Sequence, residues 1–118
     1  MTGCHLQFYV AEKHKHQHRL TYEWLLEEAR RFGLQGGCAF RALAGFGRHG
    51  RLHEEHFIEL AGDLPVAVGF VLAPEEADRF LAHVADQGLD LFYLRQPVQA
   101  GFTGDAALEP GRDDNDRT

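Results

Sequence analysis

Two groups of residues in this 118-residue chain have the types and spacing to do chemistry, and both involve its eight histidines or its glycines. His14, His16 and His18 alternate, which on an extended chain would put three imidazoles on one side. His49, His53 and His56 fall in or beside a glycine loop, where a His-x-x-His pair can converge on a turn. Either set offers nitrogen donors suited to zinc, copper or nickel. Lys13 and Lys15 interleave the first set and would repel a cation, so it reads as a solvated polar loop and the candidate metal ligands are His49, His53 and His56. The second group lies in Gly33 to Gly50, GLQGGCAFRALAGFGRHG, where glycine clusters bracket one apolar run. Gly45-Phe46-Gly47-Arg48-His49-Gly50 satisfies G-x-G-x-x-G, but a dinucleotide site needs a helix after it. A polar stretch and then extended chain follow instead, and that reading is rejected. What remains is a loop whose backbone N–H groups can approach an anion, flanked by Arg41, Arg48 and Arg51.

Catalytic chemistry is thin. Cys38 sits inside an apolar run, where a buried free thiol is expected, and no neighbouring base can be placed to activate it. Without an acid–base or nucleophile pair, an enzyme ranks behind a binding module and a metal-ion protein. Arg41 and Arg95 can meet in a cleft between subunits, or can pair with Glu59 and Asp90. Gly36 and Gly37 fit either a tight helix-to-strand turn or a close approach to ligand.

The elements that must position these residues fit in one domain with one core. The charge of −6 argues against nucleic acid or an anionic membrane as partner. Beyond Phe102 five acidic residues stand against two arginines, so half of that charge lies in the last residues. No apolar run approaches the roughly 20 residues of a membrane span, and the N-terminus lacks a signal-peptide layout; a cytoplasmic location is expected. Two cysteines are too few for a disulfide scaffold.

His5 to Val10 alternates as a first strand, and Ala11 to Arg19 reads as a polar connection. Thr21 is placed to cap a helix carrying Trp24, Leu25, Ala29 and Phe32 on its apolar stripe, which Gly33 stops. Cys38 to Phe46 reads as the second strand. The third runs from Glu55, breaks near Gly62-Asp63-Leu64-Pro65, and resumes over Val66 to Leu72. Pro74 opens the second helix, with Ala77, Phe80, Leu81 and Val84 inward, and Gly88 ends it. Leu89 to Val98 is the last strand. Residues 103–118, rich in glycine, proline and aspartate, read as a disordered acidic tail after a domain spanning residues 1–102. The order βαββαβ is the ferredoxin-like plan, an α+β fold with a four-stranded antiparallel sheet and both helices on one face. The other face is left bare, and Phe40, Phe57, Phe70 and Phe92 supply aromatic surface for oligomerisation, without assignment to faces.

Phe32-Gly33-Leu34-Gln35-Gly36-Gly37-Cys38, then Gly45-Phe46-Gly47-Arg48, then Asp63-Leu64-Pro65-Val66, resembles the PII-like signalling superfamily and most closely its DUF190 branch, over His5 to Phe102. The resemblance implies a homotrimer, a mobile loop after the second strand, and small-molecule effectors, typically adenine nucleotides, in clefts between subunits. It implies regulation of a membrane transporter or an enzyme rather than catalysis. By motif, the effector-binding positions it implies are Gly36, Gly37 and Cys38 at the start of the second strand and Gly45, Gly47 and Arg48 where the loop begins, with Arg41 added from the residue reading. The CutA proteins share this fold and are associated with metal ions, which is the analogy behind the alternative of a divalent-metal protein. Two departures from the PII pattern stand out. The loop, Gly47 to about Glu54, is short and holds no tyrosine for modification. The segment before the last strand, Ala85-Asp86-Gln87-Gly88-Leu89-Asp90, has no cation, so an effector less charged than a triphosphate, or no nucleotide at all, fits better.

Overall fold

The computed structural model describes residues 1–46 and 63–106. Strand β1 (Thr2–Ala11) leads into a small ribbon, β2 (Lys15–His16) and β3 (Arg19–Leu20), and then helix α1 (Thr21–Arg31). Strands β4 (Gly37–Arg41) and β5 (Pro65–Leu72), helix α2 (Pro74–Asp86), strand β6 (Phe92–Gln99) and the short α3 (Thr103–Ala106) follow. Four strands pair antiparallel in the order β4-β5-β1-β6. This is the expected ferredoxin-like α+β plan.

Alternation along the central strands decides which face is covered. Cys4, Leu6, Phe8 and Val10 on β1 and Val66, Val68, Phe70 and Leu72 on β5 are buried. They pack under Trp24, Leu25 and Ala29 of α1 and Ala77, Phe80 and Val84 of α2. Phe8, Phe70 and Phe80 meet edge to face, with ring centroids 5.6 to 6.5 Å apart, the arrangement favoured by the aromatic quadrupole. Phe70 is therefore core, 2% exposed, and contributes nothing to the bare face. Phe57 lies outside the described residues.

Both long helices stop by the same device. Gly33 and Gly88 sit at φ +85 and +80, where only glycine escapes the Cβ penalty. Gly33 N–H donates to Arg30 O and Leu34 N–H to Ala29 O, and Gly88 and Leu89 repeat the pattern with Ala85 and Val84, giving two Schellman motifs. The starts differ from expectation in one respect. Thr21 is the first helical residue rather than the cap, and no side chain caps α1; its hydroxyl meets His14 Nδ1 at 2.6 Å instead. In α2, Glu76 accepts the Ala73 N–H at 2.9 Å, with Pro74 in the first turn.

Three boundaries also move. Strand β4 ends at Arg41 rather than Phe46, although Ala42 N–H still reaches Pro65 O at 2.8 Å. Proline begins β5, a position that requires no N–H from it; the Glu55 to Leu60 strand lies outside the described residues. The final strand starts at Phe92 rather than Leu89. Helix α3 carries regular structure to Ala106, four residues beyond the expected domain limit, and the remainder of the tail falls outside the described residues.

Candidate functional site

The face that the helices leave open is organised by strand register. Phe40 stands opposite Ala67, Ala67 opposite Tyr9, and Tyr9 opposite Phe92. Paired residues share a face, so these four form one row across the sheet, and the Tyr9 and Phe92 rings lie 5.9 Å apart. Phe40 is 66% and Phe92 64% exposed. A second row runs Cys38, Gly69, Gln7, Leu94. Cys38 is thus exposed on this open face, not buried as its apolar neighbours suggested; the buried thiol is Cys4.

The candidate effector residues line edge strand β4 and its two ends. Gly36 precedes the strand, and a Cβ there would meet nothing within 4 Å. At Gly37 a Cβ would lie 2.4 Å from the Phe70 ring, so packing requires glycine at that position whatever binds nearby. Arg41 closes the strand and reaches Glu12 at 3.2 Å. Gly45 lies beside Pro65, whose Cγ a Cβ would meet at 3.1 Å. Gly36 and Gly37 sit at one end of β4, and Arg41 and Gly45 at the other, roughly 13 Å apart at the rise of a strand. Gly47, Arg48, His49, His53 and His56 lie outside the described residues.

Arg41 and Arg95 stand on opposite edge strands, β4 and β6, so they do not meet within one chain. Glu59, one of the partners expected from the sequence, lies outside the described residues. Arg95 falls opposite Leu6 on the helix-covered face and donates to Asp78 Oδ1 at 2.7 Å and Pro74 O at 3.1 Å. The hydrogen bond from Arg95 to Asp78 holds the guanidinium above the ordinary arginine value. Beside it an open groove of about 640 Å³ runs between Cys4, Pro74, Tyr93, Gln96 and Pro97.

The first histidine cluster is not three imidazoles on one side of an extended chain. Gln17 and His18, at φ 54 and 67, make the two-residue turn that closes β2 on β3, with both positive values that a type I′ turn demands. His14 is held by Thr21, and His16 packs edge-on against Trp24 at 4.8 Å. Among the described residues no three His, Cys, Asp or Glu side chains converge as a metal site. His83 plays a part that sequence reasoning missed. It stacks on Trp24, ring centroids 5.9 Å apart at 11°, and its Nε2 lies 2.6 Å from Glu28 Oε1. Arg31 donates to the other Glu28 oxygen at 3.0 Å. Glu28, four residues after Trp24 on the same helical face, was the available signal: a carboxylate on a buried stripe needs partners.

The DUF190 family model, Uncharacterized ACR, matches residues 3–100. The chain belongs to the DUF190 family. A UPF0166 protein of Aquifex aeolicus (strain VF5) is 32% identical over 79 residues, covering 67% of this chain and 75% of that protein. The DUF190 chain also shares its fold with CPII from Thiomonas intermedia K12, a nitrogen regulatory PII-like protein whose structure holds ADP, AMP and bicarbonate. That likeness has TM-score 0.60 and 15% identity, and covers 86% of this chain and 96% of CPII. A further likeness is to a PII-like signalling protein from Thermus thermophilus, with TM-score 0.53 and 21% identity over 82% of this chain and 89% of that one. At these identities the structures speak for a common PII-like fold. No helix among the described residues is long and apolar enough to cross a membrane.

Proposed function

We propose that this DUF190 protein is a non-catalytic PII-like regulator that binds a small-molecule effector, an adenine nucleotide foremost, in clefts between the subunits of a homotrimer. The observation that carries the reading is the open row Phe40, Ala67, Tyr9 and Phe92 on a fold shared with nucleotide-bound CPII. Exposed aromatic surface of this kind favours burial against a second copy. Edge strand β4 borders that face, so a neighbouring subunit would wall a cleft along Gly36, Gly37, Cys38 and Arg41. Gly45, Gly47 and Arg48 then supply backbone N–H groups and a cation at the base of the glycine loop, which signals to a transporter or enzyme in the cytoplasm. Two free thiols, Cys4 and Cys38, suit a reducing compartment. Nothing among the described residues favours the metal reading, which rests on His49, His53 and His56.

Thermal shift of the purified protein against AMP, ADP, ATP, cyclic nucleotides and divalent metals, with and without chelator, tests this directly, because a ligand of the native state raises its melting temperature. A nucleotide response without a metal response is expected. A chelator-sensitive response to metal alone would replace the regulator reading with the metal one.

A further inference from the structure

The ribbon between β1 and α1 is a positively charged patch on an acidic chain. Lys13 to Arg19, KHKHQHR, holds three cations and no carboxylate in a chain of net charge −6. Arg19 is engaged by Glu27. Lys13, Lys15 and His18 are exposed, and among the described residues no ion pair takes up the two lysines.

The ribbon is also held rigid at a conformational cost. Among the described residues Gln17 and His18 are the non-glycine positions at positive φ, where Asn-Gly would serve a type I′ turn with less strain. The strained turn is tied at its tip by Gln17 Nε2 donating to Gln87 Oε1 at 3.1 Å. At its base Thr21 N–H donates to His14 O at 2.8 Å and Lys13 N–H to Asp63 Oδ1 at 2.8 Å. His16 against Trp24 fastens the middle. Its lysines are therefore carried on a fixed backbone rather than on a loose loop. The ribbon also stands at the sheet end where Ala11 pairs with Pro65 and Gly45 lies against Pro65, beside both ends of the segment 47–62.

We propose that this ribbon is a docking surface for a short acidic segment of a partner protein. Charge decides the class of partner. An extended polyanion such as nucleic acid or a lipid surface would face the whole acidic molecule, whereas a short run of carboxylates meets only the ribbon. Lysine ammoniums act as point charges and suit carboxylates that need no bidentate geometry. The proposal is independent of which effector the protein binds.

The test is fluorescence anisotropy of a labelled decaglutamate peptide with the full chain at low salt. Parallel titrations use labelled oligo(dT) and phosphatidylserine vesicles. Lys13→Glu with Lys15→Glu should weaken peptide binding at least tenfold while the melting temperature and any nucleotide thermal shift stay as in the wild type. The milder pair Lys13→Gln with Lys15→Gln should weaken it less. Arg30→Glu with Arg79→Glu makes the same change in net charge on exposed helix positions away from the ribbon, and should leave binding within twofold. Peptide binding that is absent in the wild type, or that falls equally in both glutamate pairs, would overturn the proposal. Tighter ribbon-dependent binding to oligo(dT) or vesicles would overturn it too, by assigning the ribbon to phosphate.

Discussion

Gly36 and Gly37 are adjacent, and a single methyl group should act on them with opposite signs. At Gly37 the new Cβ would lie 2.4 Å from both Cδ1 and Cε1 of Phe70 and 3.2 Å from Gly69 O, against a comfortable carbon–carbon contact of about 3.5 to 4.0 Å. The Phe70 ring cannot withdraw, since it is 2% exposed and wedged between Phe8 and Phe80. Overpacking of a core costs about 1 to 3 kcal/mol, and the smaller unfolded-state entropy of alanine returns about 0.4 to 1 kcal/mol. Gly37→Ala should therefore lose about 0.5 to 2 kcal/mol. Gly36→Ala meets nothing within 4 Å and needs no left-handed backbone, so only the entropy term acts, for a gain of about 0.4 to 1 kcal/mol. Urea unfolding at fixed protein concentration reads both, using the fluorescence of Trp24, the sole tryptophan. With a slope of about 1 to 3 kcal/mol per molar urea, the two midpoints should separate by roughly 0.3 M or more. Shifts of the same sign, or a Gly37→Ala protein as stable as the wild type, would refute the packing account of Gly37. Gly36→Ala then also serves as a clean probe of effector approach, because its ligand-free stability is not compromised.

Other outcomes follow from the same contacts. If the protein is the homotrimer proposed above, Phe40→Asp or Phe92→Asp, each at the exposed end of the aromatic row, should leave it monomeric in light scattering while circular dichroism keeps its folded signature; an oligomer that survives both changes would place the interface elsewhere. His83→Ala should cost about 1.5 to 3 kcal/mol in urea unfolding, the worth of a hydrogen bond to a charged group, because among the described residues Glu28, at 8% exposure, then keeps only Arg31. Arg48→Ala should weaken binding of the nucleotide found by thermal shift by about 1.5 to 3 kcal/mol, measured by calorimetry, and Gly47→Val should weaken it with unchanged ligand-free melting temperature. If metal stabilises the protein at all, His53→Ala or His56→Ala should abolish the chelator-sensitive part, whereas His14→Ala should retain it because that ring is held by Thr21.

How far the chain could be read without its fold depends on the range of the interaction concerned. The helices, their stops at Gly33 and Gly88 and the apolar stripe from Trp24 to Ala29 were legible because they follow from backbone sterics and a 3.6-residue period within a dozen neighbours. The β/α order was legible for the same reason, and with it the ferredoxin-like plan. Strand register was not, and register alone sends Phe70 into the core while Phe40 and Phe92 face outward, since a shift of one residue exchanges the faces. Cys38 shows the same limit: an apolar neighbourhood in sequence became an exposed position once β4 lay at the sheet edge with its thiol on the uncovered side. The alternation of His14, His16 and His18 promised one donor face, but a type I′ turn reversed the chain at Gln17 and sent His14 and His16 to different partners. Arg95 with Asp78, and His83 with Glu28, are pairs 17 and 55 residues apart. No local pattern encodes such distances; they exist because α2 packs across the sheet beside α1, and only the tertiary structure could bring those charges together.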